Sequence, residues 1–206
     1  MKKIVILISG RGSNMQAIVQ AAQSQAWPAQ IAAVISNKPD AAGLQFAASQ
    51  GITTAVVESK GFASRDLFDS ALQLEIDRYA PDLVVLAGFM RILTPAFVQH
   101  YENRIINIHP SLLPSFVGLH THQQALDAGV KLHGATVHFV TAELDHGPII
   151  DQAAIRVLAD DTEDTLAQRL LVKEHHIYPR AVRLFVEDRL RIEAGRVSIL
   201  GDAELE

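Results

Sequence analysis

Ile105-Ile106-Asn107-Ile108-His109-Pro110-Ser111-Leu112-Leu113-Pro114 is the stretch from which the rest of the chain is read. Its three isoleucines form a short β-branched run, the mark of a buried strand. Pro110 has no N–H to give a sheet ladder, so the strand is predicted to stop at His109. Side chains alternate along a strand, which puts Asn107 and His109 on one face. A carboxamide and an imidazole then stand together at the carboxyl end of a strand, the end where open parallel sheets bind ligands. Polar groups in so apolar a run are costly unless hydrogen-bonded or used. Two readings follow: a satisfied pair that caps a sheet edge, or a functional pair.

Toward the N-terminus, residues 3–8 are a continuous apolar run, as expected of a central parallel strand buried on both faces. Ser9-Gly10-Arg11-Gly12-Ser13-Asn14 follows, then a helical pattern over residues 15–22. Strand, glycine-rich turn and helix together aim backbone N–H groups and a helix N-terminus at an anion. A nucleoside-triphosphate loop would need Gly-Lys-Ser/Thr, and no lysine is present. A dinucleotide fingerprint would need a third small residue where Met15 stands. It would also need an acid closing the second strand, residues 31–35, which instead runs into Ser36-Asn37-Lys38. What remains is a single phosphate, as in a mononucleotide or sugar phosphate, or a tight turn with a capping serine.

Residues 39–50 read as a helix ending at Gly51, and 53–57 as a strand. Ser64 is the predicted cap of a helix over 65–79, stopped before Pro81. Residues 82–87 form another buried strand, ending at Gly88-Phe89-Met90-Arg91-Ile92-Leu93. That apolar segment suits either the core or the wall of a flat pocket. Thr94-Pro95 opens a short helix. Beyond the central stretch, residues 118–128 read as a helix, and 134–140 and 149–157 as strands. A long amphipathic helix is predicted over 161–189, with acids in its first turn and a kink or break at Pro179. Residues 190–200 suggest a terminal hairpin. The alternation predicts one α/β domain over residues 1–206: a doubly wound, mostly parallel open sheet with helices on both faces, Rossmann-like in kind.

Composition narrows the function classes. The chain has 206 residues, 49% hydrophobic and 20% charged, enough for a substantial core. A net charge of −5 argues against a nucleic-acid surface. There is no cysteine, which excludes disulfides and thiolate catalysis and suits a reducing cytoplasm. The opening Met1-Lys2-Lys3-Ile4 breaks at Ser9-Gly10 too early for a signal peptide, and no stretch is long and apolar enough for a membrane span. Nine histidines raise the question of a metal. His120 and His122 are predicted to diverge on a helix, as are His175 and His176, and no His-Glu-x-x-His occurs, so no metal is expected.

Asp145 lies in Glu143-Leu144-Asp145-His146-Gly147-Pro148, a loop after a strand, where it reads as a turn former or a catalytic group. A carboxylate beside His109 would favour the imidazolium and fix its orientation. Imidazolium and carboxamide together are two donors suited to the oxyanion that forms when a carbonyl is attacked. No serine elbow or cysteine offers a protein nucleophile. The attacking group would then belong to a substrate, which points to direct acyl transfer between two bound small molecules. Glu174 reads, by position alone, as part of a solvated helix face.

With these residues in view, the chain resembles the folate-dependent formyltransferases, and specifically their glycinamide ribonucleotide branch. The likeness runs over nearly its whole length. It includes Ile8-Ser9-Gly10-Arg11-Gly12-Ser13-Asn14, Arg65-Asp66-Leu67-Phe68-Asp69, Ala87-Gly88-Phe89-Met90-Arg91-Ile92-Leu93, Asn107-Ile108-His109-Pro110-Ser111-Leu112-Leu113-Pro114, Leu144-Asp145-His146-Gly147-Pro148 and Glu174-His175-His176-Ile177-Tyr178-Pro179. The resemblance implies formyl transfer from 10-formyltetrahydrofolate to the amine of glycinamide ribonucleotide in purine synthesis, in a cytoplasmic monomer or homodimer. It implies that Gly12, Ser13 and Asn14 hold the phosphate and Glu174 the ribose hydroxyls. It assigns the folate to Arg65, Met90, Arg91, Ile92, Leu93 and Asn107, and to the loop of Thr141, Ala142, Glu143, Leu144 and Asp145. Asn107 and His109 would stabilise the tetrahedral intermediate, with Asp145 tuning His109. Val117 and His146 depart from residues common in the family. The rivals are a formyltetrahydrofolate hydrolase, usually with an extra N-terminal domain, the initiator-tRNA formyltransferase, with a further C-terminal one, and a non-catalytic nucleotide-binding protein.

Overall fold

The computed structural model describes residues 1–201, in two compact units, one over Met1–Asn107 and another from Ile108 onward. Seven strands form one sheet in the order β3-β2-β1-β4-β5-β6-β7, with five α-helices in the connections between them and a sixth after β7. The predicted doubly wound, mostly parallel arrangement is what the chain adopts.

In the first unit, β1 (Lys2–Ile8) leads into α1 (Ser13–Ser24), β2 (Ala29–Ser36), α2 (Ala42–Ser49) and β3 (Thr54–Val56). Then come α3 (Arg65–Asp77), β4 (Leu83–Leu86) and α4 (Pro95–His100), and β5 (Ile105–His109) runs across the division into the second unit. Strand β1 pairs in parallel with β2 on one side and β4 on the other. The strand order therefore reverses between β1 and β4, and the loops leaving their carboxyl ends border the crevice of a topological switch point. Those loops are residues 9–12 and 87–94. The run Ile4 to Ile8 is wholly buried, as are Leu83, Val84 and Val85, which explains why these strands carry no polar alternation.

Both predicted caps are made. The Ser64 side chain accepts from Leu67 N–H at 3.2 Å, and the Thr94 hydroxyl accepts from Phe97 N–H with Pro95 in the first turn. Helix α2 begins three residues later than predicted, because residues 37–40 are taken up by a turn joining it to β2. Strand β5 ends at His109, as Pro110 requires.

The second unit carries α5 (Thr121–Asp127), β6 (Leu132–Phe139), β7 (Ile149–Arg156), α6 (Glu163–Val186) and the hairpin β8 (Leu190–Glu193) and β9 (Arg196–Ile199). Helix α5 is shorter than predicted, since His120 sits in the left-handed region at its start (φ 54°) and blocks extension toward Gly118. Helix α6 does not break at Pro179, which lies inside one continuous element. Pro179 is buried among Ile177, Tyr178, Ala181 and Val182, whose packing offsets the one backbone bond that proline forfeits. A cap at Thr162, reciprocated by Thr165, and two acids in the first turn start the helix.

Strands β6 and β7 pair antiparallel. Gly134 sits where any Cβ would overlap the Ala153 carbonyl oxygen on β7 and crowd Leu112. Gly134→Ala is expected to lower unfolding stability by about 3 kcal/mol through that overpacking. A urea midpoint matching the parent protein's would show that the pair opens to admit the methyl group.

Candidate functional site

His109 is 6% exposed at the end of β5. Its Nε2 lies 2.9 Å from the Phe116 carbonyl oxygen. A carbonyl only accepts, so this nitrogen carries the proton and donates. Its Nδ1 lies 3.6 Å from Asp145 Oδ2, close enough for an ion pair and beyond hydrogen-bond length. Asp145 Oδ2 instead accepts from Gly118 N–H at 3.1 Å. The carboxylate thus braces the 116–118 turn while it faces the ring. Both side chains are only 7% exposed, so the two groups face each other largely out of water. Phe116 and Asp145 both adopt left-handed backbone (φ 54° and 55°). The strain falls on the two residues that address the imidazole.

The Phe116 carbonyl is held in place by residues that sequence patterns passed over. Thr136 on β6 is fully buried. Its hydroxyl donates to the Ser111 carbonyl (2.7 Å) and accepts from Leu113 N–H (3.0 Å) and Gln152 Nε2 (2.8 Å). That is one donor and two acceptor positions, all used. Gln152, its partner across the β6–β7 ladder, also donates to the Leu113 carbonyl. The Ser111 hydroxyl donates to the Ser115 carbonyl at 2.6 Å, and the Thr121 hydroxyl to that of Pro110. A buried threonine in the middle of a strand, between Ala135 and Val137 of the core, was the available signal.

Asn107 precedes His109 by two residues on β5 and is partly exposed, while Ile105, Ile106, Ile108 and His109 are buried. Leu144 is about half exposed, and Thr141, Ala142 and Glu143 are exposed beside it. The Thr141 hydroxyl donates to the Glu143 carbonyl. Gly147 is required there, since a Cβ would overlap the Phe139 carbonyl. His146 turns its Nδ1 onto the Leu144 carbonyl at 2.8 Å, within its own loop. Glu174 is not on a solvated face: it is 8% exposed on the buried side of α6. Its neighbour His176 is exposed.

In the first unit, Gly12 is left-handed (φ 68°, ψ 38°) and caps α1 with no side-chain bond. The Ser9 hydroxyl accepts from Met90 N–H (2.7 Å) and donates to Asn37 Oδ1 (2.6 Å), while Ser9 N–H donates to the Gly88 carbonyl. The glycine turn and the segment after β4 are therefore tied together at the switch point. Of that segment, Met90 and Ile92 are 68% and 59% exposed, so they are not core. The Arg91 guanidinium lies 5.2 Å from the Phe68 ring centroid, a cation–π distance. Thr94 N–H donates to the buried Asp69 carboxylate at 2.6 Å. Arg65 is exposed in the first turn of α3. Among the described residues, no group of three or more metal-ligating side chains gathers, and no helix is long and apolar enough to cross a membrane.

His122 and His133 form an unanticipated pair, Nδ1 to Nε2 at 3.0 Å. Burial lowers both, His133 to about 4, helped by the nearby His122 and His109; Glu163 partly offsets the shift at His122. Two neutral rings share one proton. His133 Nδ1 is buried without a partner, and a bare acceptor is cheaper than a bare donor, so His133 Nε2–H is the donor.

The family model described as formyl transferase matches residues 2–182. The chain belongs to the formyl transferase family. The phosphoribosylglycinamide formyltransferase of Escherichia coli (strain K12) is 53% identical over 92% of this chain and 89% of its own length. That of Haemophilus influenzae is 45% identical over 98% of this chain and 96% of its own. Glycinamide ribonucleotide transformylase 1 from Symbiobacterium toebii superposes with a TM-score of 0.94 at 49% identity, covering 97% of this chain and 94% of that one. The chain is accordingly an enzyme of the transferase class.

The histidine pair gives a pH prediction. The folded state holds His133 neutral down to about 4, whereas the unfolded chain protonates it near the ordinary value of 6.5. Its contribution is intact above 6.5 and is lost as pH falls toward 4. His133→Leu should make the loss of stability over that window less steep, by roughly one proton taken up on unfolding. Equal slopes in denaturant melts of the two proteins would dismiss the assignment.

Proposed function

We propose that this enzyme transfers the formyl group of 10-formyltetrahydrofolate to the amine of glycinamide ribonucleotide, a step of purine biosynthesis. The observation that supports this most is the His109 imidazole, set between the Phe116 carbonyl and the Asp145 carboxylate, on the strand that also carries Asn107. The phosphate goes to the turn of Gly12, Ser13 and Asn14, where a left-handed residue opens α1 and the helix N-terminus favours an anion. Glu174 takes the ribose hydroxyls. Arg65, Met90, Arg91, Ile92, Leu93 and Asn107, with the loop of Thr141, Ala142, Glu143, Leu144 and Asp145, take the folate.

In the reaction the substrate amine attacks the formyl carbon on N10 of the folate. A new C–N bond forms as the carbonyl becomes an oxyanion. The Asn107 amide and a His109 N–H stabilise that charge, the histidine giving up the Phe116 carbonyl to do so. Asp145 faces the ring at 3.6 Å and, through Gly118, holds the turn that orients it. The C–N10 bond then breaks, and the proton from the amine passes to the leaving nitrogen through water. No group on the protein is acylated, in keeping with a chain that has no cysteine.

Asn107→Ala and His109→Ala should each lower turnover by about a hundredfold, the order expected for losing one oxyanion donor. Formyl transfer to glycinamide ribonucleotide at near-parental rates in either variant would remove the assigned role. Folate consumption that is the same with and without the amine would point to a hydrolase instead.

A further inference from the structure

Gly43, the second residue of α2, has no place in the chemistry above, yet it is buried against the glycine turn. Its N–H donates to the Gly10 carbonyl at 3.0 Å. A Cβ built on it would stand 3.0 Å from the Arg11 carbonyl oxygen, 3.2 Å from that of Gly10, and 2.6 Å from Ile8 Cδ1. The left-handed exemption does not explain this glycine, whose φ is not positive. Alanine is favoured over glycine inside a helix by about 1 kcal/mol. Glycine here therefore works against local preference, and the reason is room.

The direction of those carbonyls matters. In a planar trans peptide the C=O of one residue and the N–H of the next point opposite ways. With the Gly10 and Arg11 oxygens turned toward Gly43, the N–H groups of Arg11 and Gly12 turn away from α2. They point in the same general direction, just ahead of the left-handed Gly12 and the start of α1. Successive N–H groups before a left-handed residue form an anion-binding concavity. Helix α2 has no side-chain cap, and the Gly10 carbonyl fills that position.

We infer that Gly43 is a positioning residue for the phosphate of the substrate: its missing side chain lets α2 hold the Gly10 and Arg11 carbonyls so that the opposite N–H groups face the anion. The inference rests on the assignment of the glycine turn to phosphate in the proposed reaction. Gly43→Ala displaces those carbonyls by a few tenths of an ångström and reaches the anion only through the peptide units that carry them.

The test uses steady-state kinetics of the full chain. Gly43→Ala should raise KM for glycinamide ribonucleotide about tenfold, the order that small misplacements cost, with kcat and KM for 10-formyltetrahydrofolate within about twofold of the parent. The double variant Ile8→Val/Gly43→Ala lacks the Cδ1 atom but keeps the carbonyl contacts, so its KM should stay high. An unchanged KM, an equal rise in both KM values, recovery in the double variant, or failure to fold would each overturn the inference in favour of ordinary packing. Thermal protection by inorganic phosphate separates this from the wider proposal. If the parent enzyme does not formylate glycinamide ribonucleotide, the proposed reaction falls, while Gly43 is still judged by whether Gly43→Ala weakens that protection about tenfold.

Discussion

One N–H, on Nε2 of His109, is committed to the Phe116 carbonyl at 2.9 Å, and much of the second unit can be understood as the means of holding that carbonyl where it is. A carbonyl at the tip of a turn has no intrinsic reason to face an imidazole seven residues back. It does so because Ser111, Leu113 and Ser115 are pinned by side chains from elsewhere, chiefly Thr136 and Gln152 on the β6–β7 pair. Each of those groups would be expensive to bury unpaired, so the turn has little freedom to rearrange without breaking several bonds at once. The left-handed backbone at Phe116 and Asp145 is tolerable only inside such an over-determined frame.

The first unit uses the same device at the switch point between β1 and β4. There the proposed binding surface is backbone: the turn from Gly10 to Asn14 and the exposed segment around Met90 and Ile92. Buried polar side chains on neighbouring elements set its shape. Ser9 and Asn37 fix Met90, and Asp69 fixes Thr94. Placing main-chain groups in this way costs little reorganisation when a ligand arrives, because the polar partners are already in position. It also explains why the segment after β4 can expose two large apolar side chains while its neighbour Phe89 stays in the core.

A transfer that needs no acyl-enzyme asks the protein for orientation and for charge stabilisation rather than for a nucleophile. The proposed site is furnished accordingly. The groups proposed to react are a carboxamide and an imidazole on one short strand, with a carboxylate that faces the ring and is anchored through Gly118 rather than by a direct bond to Nδ1. That leaves Nδ1 without a short bond to the acid, and Asp145 holds the 116–118 turn through Gly118.

Periodicity and punctuation settled a good deal without coordinates. The apolar runs at Ile4, Val84 and Ile105 required buried parallel strands, because nothing else hides so many consecutive β-branched residues in water. Pro110 ended β5, Ser64 and Thr94 began their helices, and the two-residue spacing put Asn107 and His109 on one face. Local signals left a kink or a break at Pro179; the helix runs on through it, since burial of its neighbours offsets the lost backbone bond in the packed helix. Those signals misjudged Glu174, whose burial depends on which side of α6 faces the sheet. The separation of His109 and Asp145, the pairing of His122 with His133, the saturation of Thr136 and the lack of room beside Gly43 belong to tertiary structure alone. Each is a distance between residues remote in the chain, and hydrophobic pattern carries no information about which polar groups will meet once the strands are paired.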